Sequence, residues 1–124
     1  MYPDQKIIML HCWPYLEEAG FLAQAHPNVF IDTCWQPILN PDFLRQSMNT
    51  WLGYIPLNKW TMSNDSTSVE MATGASMITR KVLGEALSTK QKQAGLSENE
   101  VREIATRLLH NNAVAIYGAG QTYT

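Results

Sequence analysis

The sequence predicts an α/β fold with a parallel sheet at its centre, and three observations favour it. Segments with strand character and segments with helical character alternate three times along the chain. The first strand segment is apolar on both faces, which is typical of a strand covered by helices on both sides. The chain has 124 residues, enough for one core. We therefore treat 1–124 as a single domain.

The first strand–helix unit occupies the amino-terminal quarter of the chain. The run "KIIML" (6–10) predicts a short buried strand, and "YLEEAGFLAQA" (15–25) predicts a helix with Leu16, Ala19 and Ala23 on one face. Pro27 ends this helix, because proline lacks an amide hydrogen and disfavours helical geometry in the preceding residue.

Two further units follow, and a capped helix ends the chain. Their predicted elements are a strand at 28–35, a helix at 40–55, a more polar strand at 58–65 and a long helix at 67–93. The last helix begins at "SENE", where Ser97 and Glu100 have the spacing of a capping box. This order is typical of βαβ units, whose strands pair in parallel.

Composition excludes several classes of partner. A formal charge of −2 and a pI near 5.8 argue against a surface for nucleic acid or anionic membrane. No apolar run approaches the roughly 18 residues of a membrane span, and the segment 1–6 lacks the layout of a signal peptide. Two cysteines are too few for a disulfide scaffold, so we expect a cytoplasmic protein.

Chemically active side chains follow the predicted strands, where parallel α/β proteins carry their sites. The residues concerned are His11, Cys12 and Trp13 after the first strand, Asp32, Cys34 and Trp35 at the end of the second, and Asp65 at the end of the third. Imidazole and carboxylate are both good ligands for zinc or manganese. A metal site or a proton-transfer site is therefore expected at this edge of the sheet.

The stretches "IIMLHCWPYLEEAGFLAQAHPNVFIDTCW", "KWTMSNDS" and "HNNAVAIYG" resemble the carboxyl-terminal part of the amidohydrolase superfamily, in particular its amidohydrolase-related, metal-dependent hydrolases. The resemblance implies a (β/α)8 TIM barrel, of which this chain would supply the last three βα units and a C-terminal helix. A complete barrel has about 250 residues. The chain is therefore expected to be a fragment that forms oligomers or pairs with a missing amino-terminal part.

The resemblance also implies a reaction and its residues. His11 matches the histidine that ends the family's sixth strand, and Asp65 matches the aspartate that ends the eighth. A metal-activated water would attack an amide, ester or related bond of a small-molecule substrate. Asp65 would be metal ligand and general base, and His11 a metal ligand or a donor to the developing oxyanion. The family's HxH metal pair is absent, so we expect the isolated chain to hold no tight zinc or manganese and to be inactive.

Each of these residues has a simpler interpretation. His11 could simply cap the end of a strand, without a functional role. Asp65 could cap the long helix that follows. Asp32 is expected to be structural. Cys12 and Cys34 are expected to be small buried hydrophobes, with a zinc cluster of both thiols and His11 as the alternative.

Trp13 and Trp35 would either line a substrate pocket or only pack within the loops. The alternatives for function are a non-catalytic partial-barrel module that acts by assembling with another chain, and a related isomerase or decarboxylase.

Overall fold

The computed structural model describes residues 4–118, which form a three-stranded parallel sheet and six α-helices. The strands are β1 (Ile7–Met9), β2 (Val29–Asp32) and β3 (Trp60–Thr61), and they lie in the order β1-β2-β3. The pairing is parallel throughout, with Ile8 opposite Phe30 and Asp32 opposite Thr61. The carboxyl ends of all three strands therefore meet at one edge.

The helices flank this sheet and differ in length from 4 to 26 residues. They are α1 (Leu16–Ala25), α2 (Gln36–Leu39), α3 (Pro41–Trp51), α4 (Val69–Ala94), α5 (Glu98–Thr106) and α6 (Asn112–Tyr117), with a 3-10 turn at Leu57–Lys59 and a π-helical segment at Arg107–Asn111 between α5 and α6. Within the described part of the chain, no helix is both long enough and apolar enough to cross a membrane.

The predicted partial (β/α)8 TIM barrel is wrong. Residues 4–118 form an open sheet in which the outer strands β1 and β3 each pair with β2 and not with each other. The strands have only three, four and two residues, and most of the chain is helical. A barrel closes only when strand number, tilt and stagger agree, and three short strands do not meet that condition.

The core lies between the sheet and the helices, and two tryptophans dominate it. Trp51 of α3 and Trp60 of β3 are fully buried, with ring centroids 5.7 Å apart and an edge-to-face angle of 76°. The Trp51 Nε1 donates to the carbonyl of Leu16 at 3.0 Å, which satisfies the indole and fixes α1 on α3. Ile31 and Leu44 are fully buried in the same cluster.

The carboxyl-terminal helix is attached to the sheet by polar contacts. Asn112 is 5% exposed, and its amide donates to the carbonyls of Leu57 and Trp60. Lys6, which precedes β1, donates to the carbonyl of Ala115 at 2.8 Å. These contacts fix α6 against the residues where β1 and β3 begin.

Candidate metal centre

His11 and Asp65 meet at the carboxyl edge of the sheet. His11 follows β1 and Asp65 follows β3, and the His11 Nε2 lies 3.0 Å from the Asp65 Oδ2. The two side chains are 45% and 54% exposed, so solvent and small molecules reach both. The parallel order of the strands brings these residues to the same end, although 54 positions separate them in sequence.

The loop after β1 is strained where it presents His11. Both His11 and Cys12 have positive φ, at 69° and 55°. The Cys12 amide donates to the carbonyl of Leu10 at 2.8 Å, and the Trp13 amide donates to the carbonyl of His11 at 2.7 Å. Such i to i+2 bonds around left-handed residues are rare in proteins, and each conformation costs about 1–3 kcal/mol. Strain of this kind persists where the surrounding structure imposes it, most often at functional sites.

The buried side chain of Asp32 accepts hydrogen bonds from β3 and from the loops after β2 and β3. Its carboxylate is fully buried, and Oδ1 accepts from the Cys34 amide at 2.6 Å and from the Ser63 hydroxyl at 2.7 Å. Oδ2 accepts from the hydroxyl of Thr61. The Asp32 carboxylate therefore joins β3 to the loops after β2 and β3.

Three further contacts connect the three loops to one another. The side-chain amide of Gln36, at the start of α2, donates to the backbone carbonyl of His11 at 2.6 Å. The backbone amide of Trp35, a residue with φ of 65°, donates to the carbonyl of Asn64 at 3.3 Å. The Trp35 ring stacks on the imidazole of His11, with centroids 5.5 Å apart. The position of each loop thus depends on its neighbours.

Asp65 does not cap the helix that follows it. The N-cap of α4 is Ser68, whose hydroxyl accepts from the Met71 amide at 3.2 Å. Asp65 itself has φ of 50°, a left-handed conformation that aspartate tolerates better than most residues. The simpler interpretation of Asp65 as a helix cap is therefore not what the structure shows.

A third donor lies beside this pair. The Cys34 Sγ, a His11 ring nitrogen and an Asp65 carboxylate oxygen all lie within 4.8 Å of one another. The Cys34 residue is buried, with 2% of its surface exposed. Burial raises the pKa of this thiol to about 12, and the nearby Asp32 and Asp65 carboxylates add to the rise.

Comparison with known proteins gives one informative match. A solved structure from Lactobacillus casei ATCC 334, provisionally named a metal-dependent hydrolase, superposes with a TM-score of 0.77 at 24% identity. The alignment covers 93% of this chain and 30% of that chain, so this chain spans under a third of its neighbour. No protein-family model matches the sequence, and no curated protein does. At this identity the match shows a shared fold over the aligned part.

The alternative zinc cluster of Cys12, Cys34 and His11 is not formed. The Cys12 Sγ contacts the carbonyl of Met9 at 3.3 Å and lies outside the group of three donors. Burial raises the pKa of Cys12 to about 11, as expected for a thiol that packs as a small hydrophobe. The structure thus separates the two cysteines, and only Cys34 joins His11.

The two tryptophans of the predicted substrate pocket both lie near the surface. Trp13 is 38% exposed and stacks against Phe43 of α3, with centroids 3.7 Å apart and planes 14° from parallel. Trp35 is 41% exposed and stacks on His11. Trp35 is therefore the better placed of the two to contact a molecule bound at His11, and the pocket role of both stays a prediction.

Sequence reasoning indicated less about two side chains of this region than the structure shows. It expected Cys34 to be a hydrophobe, with the zinc cluster of Cys12, Cys34 and His11 as the alternative, and it used Tyr117 only for the family resemblance. Burial, together with the charges of Asp32 and Cys34, raises the pKa of Tyr117, while a hydrogen bond with Thr61 lowers it. The end of α6 therefore lies against the loops that carry the donors.

The donor set fits a divalent metal ion. Zinc is held by histidine nitrogen, cysteine sulfur and carboxylate oxygen, and catalytic zinc sites use three protein ligands with an open position. His11, Cys34 and Asp65 supply one donor of each kind. Two of the three are accessible to solvent, as an open position requires.

Proposed function

We propose that this chain carries part of the metal centre of an amidohydrolase-type, metal-dependent hydrolase. The observation that supports this most is the meeting of His11 and Asp65, 3.0 Å apart at the carboxyl edge of the parallel sheet. Both residues have left-handed backbone conformations, which only the surrounding contacts can impose. The structural neighbour provisionally named a metal-dependent hydrolase agrees with this proposal.

The chemistry follows from the two side chains. A divalent ion, zinc or manganese, supplies Lewis-acid polarisation and makes a bound water more acidic. His11 and Asp65 would hold this ion, and the second carboxylate oxygen of Asp65 is available to accept a proton from the attacking water. The stacked Trp35 restricts rotation of the His11 ring, so the imidazole is oriented before a substrate arrives. The substrate would be a small molecule with an amide, ester or related bond.

The complete activity belongs, in this proposal, to a longer protein. This chain spans 30% of the neighbouring structure's chain, and the ligand pair usual in the resembled family is absent from it. The isolated chain is therefore expected to be inactive as a hydrolase.

Substitution of Asp65 by asparagine tests the proposal. The substitution is made in the longer protein to which this proposal assigns the complete activity and which includes residues 1–124. Asparagine keeps the shape and tolerates the left-handed backbone, but it removes the base and weakens ligation. Turnover of a panel of esters and amides should fall by about 10²–10⁴-fold. Asp4→Asn, an exchange at an exposed aspartate, is the control and should leave turnover unchanged. Unchanged turnover in Asp65→Asn, or turnover that survives a strong chelator, would contradict the proposal.

A further inference from the structure

We propose that Cys34 is the third protein ligand of the metal centre, which makes it a His–Cys–Asp site selective for zinc-like ions over manganese and magnesium. This inference rests on the proposed function, because it takes His11 and Asp65 as the other two ligands. It differs from the sequence interpretation, in which Cys34 was expected to be a hydrophobe, or alternatively to bind zinc together with Cys12 and His11, and in which the metal pair was His11 and Asp65.

The geometry needs only a small adjustment to accommodate an ion. In a tetrahedral site with bonds of about 2.0–2.3 Å, neighbouring ligand atoms lie roughly 3.4–3.8 Å apart. The His11 Nε2 and Asp65 Oδ2 are already 3.0 Å apart, and no pair of the three donor atoms exceeds 4.8 Å. The Cys34 sulfur and the other two donor atoms therefore have to approach by about 1.4 Å at most, and the His11 Nε2 and Asp65 Oδ2 have to move slightly apart. Small shifts of the exposed Asp65 carboxylate and of the loop that carries it can provide both.

The backbone around Cys34 holds its sulfur in place. The Cys34 amide donates to the buried Asp32 carboxylate at 2.6 Å, and the next amide, that of Trp35, donates to the carbonyl of Asn64 at 3.3 Å. These bonds attach the loop after β2 directly to the loop that carries Asp65. Most protein metal sites contain hydrogen bonds of this kind, which are made to the ligand residue and hold it in the orientation that binds the metal.

Burial differs between the three donors in a way that suits a metal site. Cys34 is 2% exposed, whereas the His11 and Asp65 side chains are 45% and 54% exposed. An ion can thus enter from solvent between the imidazole and the carboxylate and meet the sulfur at the base. The thiol proton passes to solvent as the ion binds.

Sulfur determines which ions are preferred. Thiolate is a soft ligand that favours zinc, cobalt and cadmium, whereas manganese and magnesium prefer sites made only of oxygen and imidazole. A site with Cys34 should therefore bind cobalt(II) and cadmium(II) and discriminate against manganese(II). With three protein ligands in place, the isolated chain should bind one such ion, even where it lacks hydrolytic activity.

Cobalt(II) titration of the purified 124-residue chain tests the inference without any assay of activity. A thiolate ligand gives an intense sulfur-to-cobalt charge-transfer absorption in the near ultraviolet, which nitrogen and oxygen ligands do not give. We expect this band to saturate at one cobalt per chain and to disappear in Cys34→Ser. Cys12→Ser is the matched control, because Cys12 follows β1 but lies outside the donor group, and it should keep the band.

The affinity supplies a second, independent readout. Mutation of a residue that hydrogen-bonds to a metal ligand typically weakens metal affinity by about 10–100-fold. Loss of the ligand Cys34 itself should therefore weaken cobalt binding by at least about 100-fold. Circular dichroism of Cys34→Ser establishes that the variant remains folded.

The possible results separate this inference from the proposed function. Cobalt that binds without the thiolate band, or a band that persists in Cys34→Ser, overturns Cys34 as a ligand and leaves His11 and Asp65 as the metal pair. Failure of the wild-type chain to bind cobalt or cadmium overturns the three-ligand site, whereas the proposed function is decided separately by turnover of Asp65→Asn in the longer protein. A band of equal strength in the presence of equimolar manganese(II) is the expected sign of selectivity, and displacement by manganese contradicts it.

Discussion

Replacement of Asp32 by alanine should destabilise the fold strongly, although Asp32 is not proposed to bind metal. The carboxylate is fully buried and accepts hydrogen bonds from the Cys34 amide, the Thr61 hydroxyl and the Ser63 hydroxyl. Alanine removes all three acceptor contacts at once. The perturbation therefore tests whether the loops after β2 and β3 are held by this one side chain.

The magnitude follows from the burial of the three donors. Ser63 is exposed, so water can replace the carboxylate there, but Cys34 and Thr61 are buried. A buried donor left without a partner costs about 1–3 kcal/mol. Two of them give about 2–6 kcal/mol, a large part of the roughly 5–15 kcal/mol that stabilises a domain.

Urea unfolding followed by tryptophan fluorescence measures this loss. With a slope of about 2 kcal/mol per molar urea, the midpoint should fall by about 1–3 M. Asp65→Asn is the control: the Asp65 side chain is 54% exposed and pairs with the exposed His11 imidazole, so the loss of this pair should cost less than about 1 kcal/mol. A loss below about 1 kcal/mol in Asp32→Ala, or equal losses in both variants, would refute the reasoning.

Three further predictions concern the start of α5 and the edge of the sheet. Ser97→Ala removes the N-cap of α5 and should cost about 1 kcal/mol in thermal unfolding. The Ser97 amide and hydroxyl lower the pKa of Glu100, so its contribution to stability is present above the unfolded value near 4.5 and is lost as the pH falls through the folded value. Glu100→Gln should therefore flatten the loss of stability below about pH 5, and an unchanged acid profile would argue against this. Within residues 4–118, β1 pairs on one side only and Ile7 is 48% exposed, so sedimentation velocity should show self-association that Ile7→Lys reduces. A compact monomer at high concentration would contradict it.

The number and order of the strands could be predicted from the sequence, but the architecture around them could not. Apolar runs at 6–10 and 28–35 indicated buried strands, and the alternation with helices indicated parallel pairing. The structure has that order. The partial TIM barrel came from resemblance alone, and it was wrong: the described residues form a short open sheet of three parallel strands in a mostly helical chain.

The ends of elements were predicted less well than their existence. The third strand was expected over 58–65 but contains only Trp60 and Thr61, because the residues that follow form the loop that carries Asp65. The last helix was expected to be continuous, whereas a π-helical segment at Arg107–Asn111 interrupts it. Asn112 follows that segment, and its side-chain amide donates to the carbonyls of Leu57 and Trp60, a long-range contact that helical periodicity does not reveal.

At the site, the sequence indicated the edge of the sheet but not the full donor set. His11 and Asp65 each follow a strand of a parallel sheet, so their order along the chain is enough to predict that they lie at one end. The place of Cys34 depends on the bond from its amide to Asp32 and on the left-handed backbone of Trp35. Neither feature has a signal in the sequence, because tryptophan is not a residue that marks a left-handed turn.

Calorimetric titration of zinc into the 124-residue chain tests the central claim most directly. The wild-type chain and the double variant His11→Ala, Asp65→Asn are compared under identical conditions, with circular dichroism to establish that both are folded. The account predicts one zinc per wild-type chain and an affinity at least about 100-fold weaker in the double variant. Equal affinities in the two proteins, or no zinc bound by the wild-type chain, would contradict it.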